Sequence, residues 1–236
     1  MPSFLFIFVF AVANHLKKIL SYFFEFSIEK RQSEFSGEVV VALSKGEYML
    51  STQNAIYSYG RNYTSFGMAF NAIEIQQQKV ESVLVLGFGL GSVVDLLENH
   101  PTIKTITAVD ADAVIIELAR KYLQSNLKNK VKYVCGDAEK FVLNEQHQFD
   151  LILFDVFIEE LTPMQFMQPV FFTALKKLVA PNGILLFSKI NDSFRSKIEN
   201  EQFEKNFSSV FLEAFSIDAN RSEERRVGKE CLRLCR

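Results

Sequence analysis

The stretch VLVLGFGLGS, running from Val83 to Ser92, decides the fold. Its first residues are apolar and β-branched or γ-branched, as a buried strand requires, and Gly87, Gly89 and Gly91 then interrupt them. Glycines at this spacing let the backbone turn sharply and approach a ligand with no Cβ in the way, beside the N-terminus of the next helix. The dinucleotide fingerprint places its third glycine one position later, where Ser92 stands, so the turn alone matches a nicotinamide site loosely. The identity of the nucleotide has to come from the surroundings.

Downstream of the turn, strand and helix patterns alternate. The spacing predicts strands at 83–87, 105–110, 131–135, 150–155 and 183–188, with helices at 91–99, 112–123, 138–143, 164–178 and 193–206. Strands such as LILF at 151–154 are apolar throughout, as expected when a parallel sheet is covered on both faces. This is an α/β pattern, an open doubly wound and mostly parallel sheet. Pro181-Asn182-Gly183 reads as the turn from one helix into the next strand. Upstream, EVVVAL, EYMLST and NAIYSY, with Lys45-Gly46 between the first two, read as a small antiparallel β element. A helix follows at 63–78.

Three acids stand at predicted strand ends. Asp110 closes ITAVD nineteen positions after Gly91, where a carboxylate can accept both hydroxyls of a ribose. Asp112 is the better helix cap, since it directly precedes AVIIELA. Asp137, with Ala138, follows the third strand and can meet an adenine amino group, cap the next helix, or do both. Asp155 closes FDLILFD at the mouth of the same crevice, either as a base or as a strand-end carboxylate. Together with the glycine turn these residues are far more specific than any one of them.

The chain of 236 residues, 48% hydrophobic, can bury one sizeable core but not two. A formal net charge of −2 and the lack of a basic run in its body argue against nucleic acid as a partner. The 24 Phe and no Trp read as core volume. Cys135, Cys231 and Cys235 match neither a zinc site nor a disulfide framework, which fits a reducing, cytoplasmic setting. The apolar run Phe4–Ala13 is well short of the ~20 residues of a spanning helix and has no basic leader, so a membrane span and a secretory signal are both disfavoured. A helix packed on the body or on a partner, or an over-extended start, reads better.

The final RSEERRVGKECLRLCR, from Arg221, breaks with everything before it. A common sequencing-library adapter translated in frame gives RSEERRVGKEC, which is Arg221–Cys231. We therefore expect residues 221–236 to be read-through from a gene truncated after Asn220. Setting aside its six Lys/Arg and three Asp/Glu from the totals of 26 and 28 leaves 20 basic and 25 acidic residues, a net −5.

VLVLGFGLGSV, ITAVDADAVIIELARKYL, VKYVCGDAEKFV and FDLILFD together resemble the class I S-adenosylmethionine-dependent methyltransferase fold, and within it the spermidine-synthase-like branch, over Glu38 to Asp218. The resemblance implies that Gly87, Gly89 and Gly91 line a sulfonium nucleoside, that Asp110 and Ala111 hold its ribose, and that Asp137 and Ala138 meet its adenine. Gln53 falls near a glutamine that family uses, and the β element resembles its N-terminal portion. It also implies two closing antiparallel strands, of which only FLEAFSID at 211–218 stands before the foreign tail, so the last strand is expected to be missing. The organisation is then a helical segment at 1–36, a β element at 37–62, the Rossmann-like S-adenosylmethionine-binding domain at 63–220 and the tail at 221–236.

Two departures bear on the reaction. Spermidine synthases carry an acid three residues beyond the one matching Asp155, and Ile158 stands there. Their Tyr-His-Glu run has only Tyr63-Thr64-Ser65 as its nearest match. Glu159 and Glu160 are the acids that could replace the missing one, and their plainer reading is a solvated loop. The resemblance implies a transferase on a small-molecule acceptor, using S-adenosylmethionine or its decarboxylated form, with Asp155 as base and Tyr63 near the acceptor. Methyl transfer leads, aminopropyl transfer is the alternative, and an inactive nucleoside-binding module is the third reading. A homodimer is allowed for.

Overall fold

The computed structural model describes residues 15–158, 162–191, 194–211, 214–219 and 229–235. The expectations for Phe4–Ala13, Glu159 and Glu160 fall outside these residues. A four-stranded antiparallel sheet comes first, in the order β1 (Phe26–Ser33), β2 (Gly37–Ser44), β3 (Glu47–Ser51), β4 (Ile56–Ser58). Lys45 and Gly46 join β2 to β3 with φ of 48° and 79°, and both positive values fit a two-residue type I′ hairpin turn. Strand β1 lies inside the stretch read as helical, where, among the described residues, helix is found over 15–20.

Among the described residues the second sheet has seven strands. Its five parallel members are β7 (Val131–Cys135), β6 (Thr105–Asp110), β5 (Ser82–Leu86), β8 (Phe149–Phe154) and β9 (Val179–Asn191), side by side in that order. Beyond β9 come β11 (Lys229–Cys235) and then β10 (Ala214–Ala219), each antiparallel to its neighbour. The slot expected to stand empty is thus filled by backbone from the segment read as foreign. The α-helices described after the first sheet are α1 (Thr64–Ala72), α2 (Ser92–Leu96), α3 (Ala113–Tyr122), α4 (Ala138–Asn144), α5 (Pro169–Lys177) and α6 (Phe194–Val210).

Strand alternation divides the core between the two faces of the sheet. Val83, Val85, Leu151 and Leu153 pack with Phe66 and Phe70 of α1, Val93 and Val94 of α2 and Ala119 of α3. Leu84, Leu86, Ile152 and Phe154 pack on the other face with α4, α5 and α6. Much of the Phe content sits on that second face. Phe154 stacks on Phe187 with ring centroids 4.0 Å apart, and Phe172 meets Phe207 edge-on at 5.0 Å. The smaller sheet packs on α3 through Val39, Val41 and Leu50 against Ile115, Leu118 and Tyr122.

Two of the boundaries that differ from the sequence reading have clear local reasons. The helix expected at 63–78 ends at Ala72, and Glu74 then takes a left-handed φ of 50° before a short 3-10 turn at Ile75–Gln77. Strand β9 begins four residues before the expected 183. Its pairing jumps from Phe149↔Val179 to Leu151↔Ile184, so Pro181-Asn182-Gly183 forms a bulge within the strand. Asn182 has φ 62° there, and a Cβ on Gly183 would come 2.8 Å from the Ala180 carbonyl oxygen.

Strand β5 is central. The chain passes from it to β6 and β7 on one side and returns to β8 and β9 on the other. The ends of β5 and β8 therefore flank the switch in strand order, the place where open α/β sheets leave a crevice.

Candidate active site

Backbone geometry builds the floor of that crevice. Gly87, Gly89 and Gly91 all have positive φ, of 81°, 54° and 88°. A Cβ on Gly87 would collide with the carbonyl oxygen of Asp155, and one on Gly89 would come 3.1 Å from the Tyr57 carbonyl oxygen. Gly91 is the N-cap of α2, and a Cβ there would come 2.8 Å from the Phe88 ring. Gly87 and Gly89 line the cavity, while Gly91 packs behind it.

The cavity holds about 190 Å³ and gathers most of the residues expected from the sequence. Asp110, Ala111, Asp137, Ala138, Asp155 and Tyr63 all line it. Asp110 Oδ2 accepts from the backbone N–H of Phe88 at 3.0 Å and of Gly89 at 3.4 Å, and its Oδ1 accepts from Asp112 N–H at 3.0 Å. Burial raises the Asp110 carboxyl above its ordinary value, and these three N–H donors pull the other way. This acid therefore holds the glycine turn in shape. Asp112 caps α3, accepting from Val114 N–H at 2.9 Å. Asp137 caps α4, accepting from Lys140 N–H at 2.8 Å, and faces the cavity as well.

Tyr63 and Asp155, 92 positions apart, meet at the cavity wall. The Tyr63 hydroxyl donates to Asp155 Oδ2 at 2.7 Å, and the Tyr63 ring is buried. A hydrogen bond to a carboxylate fixes its direction as well as its charge. Gln53 stands apart from this group. It is exposed in the connection between β3 and β4 and does not line the cavity.

Sequence reasoning missed the wall contributed by the smaller sheet, namely Phe35, Ser36, Ala55, Ile56 and Tyr57. Two polar clamps bring it there. Ser92, at the position of the missing third glycine, has its hydroxyl 2.6 Å from that of Ser58 and accepts from Tyr59 N–H at 2.9 Å. The buried Ser33 hydroxyl donates to Asp112 Oδ2 and accepts from the backbone N–H of Phe35 and Ser36, each at 3.0 Å. A serine in place of the third glycine was the one available signal. Gln165, Phe166 and Pro163 add to the wall beyond β8 and gave no signal at all.

Among the described residues no cluster of His, Cys, Asp and Glu could hold a metal ion, and no helix is long and apolar enough to cross a membrane. Cys135 is exposed with a free thiol.

Comparison with known proteins bears on the family and the fold. Residues 66–218 match the spermine/spermidine synthase domain. A polyamine aminopropyltransferase of Sulfolobus acidocaldarius is 27% identical over 190 residues, covering 77% of this chain and 60% of that protein. A Drosophila melanogaster eEF1A lysine and N-terminal methyltransferase homolog is 27% identical over 151 residues, covering 58% of this chain and 22% of that one. The chain spans less than two thirds of the length of the curated relatives it matches. The crystal structure of a probable spermidine synthase from Corynebacterium glutamicum superposes with a TM-score of 0.71 at 20% identity, covering 88% of this chain and 79% of that one. The domain match extends over most of the chain and includes the glycine turn, Asp110, Asp137 and Asp155; the chain belongs to the spermine/spermidine synthase family.

Proposed function

We propose that this chain is a transferase that moves an alkyl group from a sulfonium nucleoside to a small acceptor, with methyl transfer from S-adenosylmethionine as the leading reaction. One observation carries the reading: a Tyr63–Asp155 pair faces a glycine cradle, at Gly87 and Gly89, that any Cβ would fill. Asp110 uses three of the roughly four acceptor positions of a carboxylate on backbone N–H groups, which leaves one for a ribose hydroxyl. Asp137 and Ala138 are the residues for the adenine edge. A sulfonium nucleoside, when bound, supplies a carbon whose bond to sulfur breaks with the electron pair going to sulfur. Asp155 takes the proton that the acceptor N–H or O–H loses as its lone pair attacks, and Tyr63 holds Oδ2 of that carboxylate in place. Alignment of acceptor and donor in one cavity supplies the rest.

Ile158 favours methyl over aminopropyl transfer, because a diamine needs a second carboxylate on this side and an apolar side chain stands in its place. Aminopropyl transfer has its own support. No Lys or Arg lines the cavity among the described residues, so the carboxylate of S-adenosylmethionine would have to be met by backbone N–H groups, whereas the decarboxylated donor has none to satisfy. The name of the Sulfolobus acidocaldarius relative points the same way. Mass spectrometry of products formed from each donor, with putrescine and with a broad acceptor panel, separates the two. Methylated product from S-adenosylmethionine supports the leading reading. Spermidine from putrescine supports the second, and binding with no turnover on any acceptor would leave a nucleoside-binding module.

A further inference from the structure

Two exposed hydrophobic side chains stand at the mouth of the cavity. Phe35 is 65% exposed and Ile158 is 58% exposed, and both line it. Large apolar surface left open beside a ligand cavity is surface for a ligand to cover. Phe35 is also held there, because the N–H groups of Phe35 and Ser36 both donate to the Ser33 hydroxyl, itself bonded to the buried Asp112. Phe157, Ile158 and Pro163, which follow strand β8, line the cavity as well.

Charge is distributed unevenly around the same wall. Asp110 ends β6, Asp112 and Asp137 follow β6 and β7, and Asp155 is the one described carboxylate of the lining on the β8 side. No Lys, Arg or His lines the cavity among the described residues, so an acidic acceptor would meet no cation. With a nucleoside held at Asp110 and Asp137, Asp155 is the described carboxylate left for one ammonium of a dicationic acceptor, and the described side chains next to it, Phe157 and Ile158, offer the second ammonium no partner for the hydration it would lose.

Resting on the transferase reading above, and holding for either donor, we infer that the acceptor is a small molecule with an apolar body and a single nucleophilic N–H or O–H, neutral or singly charged. The body lies between Phe35 and Ile158, and the nucleophile points inward to Asp155.

Isothermal titration of the full chain with benzylamine, hexylamine and putrescine, each with and without S-adenosylhomocysteine, tests this. Benzylamine or hexylamine is expected to bind at least about tenfold more tightly than putrescine, the gain expected from burying a ring or chain. Ile158→Asp should move the preference about tenfold toward putrescine by supplying a second charge-assisted partner, with the melting temperature confirming that the exposed substitution leaves the fold intact. Glu159→Gln and Glu160→Gln should leave the order unchanged. Putrescine binding as tightly as the monoamines, loss of putrescine binding in Glu159→Gln or Glu160→Gln, or no binding of either class would overturn the inference. Failure of S-adenosylhomocysteine to bind would instead count against the transferase reading, while the amine titrations made without it still report the acceptor preference.

Discussion

At the scale of single residues, the site depends on a few side chains that each hold backbone in place. Gly87 sits at φ 81° with its missing Cβ pointing at the Asp155 carbonyl, so Gly87→Ala must both strain the backbone and push β5 from β8. We expect it to lower stability by about 2–4 kcal/mol and to abolish nucleoside binding, as read by chemical denaturation and calorimetry. Ser92→Ala leaves the Ser58 hydroxyl and Tyr59 N–H without the partner they share, a loss of about 1–3 kcal/mol in the same denaturation experiment. Asp155→Asn keeps an acceptor for Tyr63 but cannot take a proton, so turnover should fall about 10²–10⁴-fold with nucleoside affinity nearly unchanged. Asp110, Asp137 and Asp155 were legible because each stands at or just past the end of a strand, Asp110 and Asp137 also next to a helix start. The roles of Ser58, Ser92 and Phe35 were not, since each depends on a partner brought near only by folding: Ser58 is 34 positions from Ser92.

At the scale of elements, α2 carries the clearest dependence on pH. Asp95 lies in α2 with its Oδ1 buried and without a hydrogen-bond partner among the described residues. Burial first, and the nearby charges of Glu47 and Glu98, push its carboxyl up to about 7, against the pull of Arg61 and of the Ser125 N–H. Arg61 is itself paired with Glu98. The sign follows from proton uptake: between an ordinary carboxylate pKa of about 3.9 and about 7, folded Asp95 holds a proton that the unfolded chain has released. Its contribution to stability therefore grows as pH falls through about 7 and levels off near 4, and above 7 the ionised form costs stability. Asp95→Asn should stabilise the protein at pH 8 by up to about 4 kcal/mol and remove this part of the slope, measured by denaturation from pH 5 to 8. Elements with a strong local signature, such as β7 at 131–135, were read to the residue. Strand β1 was not, because FSIEKRQS has one aliphatic residue, and part of what holds it, the contacts with α3, lies far away in sequence. It pairs with β2, and its Glu29 accepts from Lys121 and Tyr122 of α3 at 2.6 Å each. The bulge in β9 was hidden for a related reason, since Pro-Asn-Gly reads as a turn wherever it occurs and only pairing with β8 makes it part of a strand.

At the scale of the whole molecule, the order of the sheet puts the site at the junction of β5 and β8, with the smaller sheet closing it from one side. The general architecture followed from the alternation of apolar strands and helices, while the docking of the two sheets did not. The far edge of the large sheet depends on β11, which pairs seven residues with β9 and six with β10. We propose that this slot is needed whatever sequence fills it. A chain ending at Asn220 should melt several degrees lower than the full 236 residues and associate through the exposed strand edges, as read by calorimetry and light scattering. The central claim, that the glycine crevice is a sulfonium-nucleoside site, is tested most directly by isothermal titration of the full chain. The ligands are S-adenosylmethionine, its decarboxylated form, S-adenosylhomocysteine and NAD. One-to-one binding of a sulfonium or thioether nucleoside, lost in Gly87→Ala, is the predicted result; binding of NAD with none of the other three would contradict it.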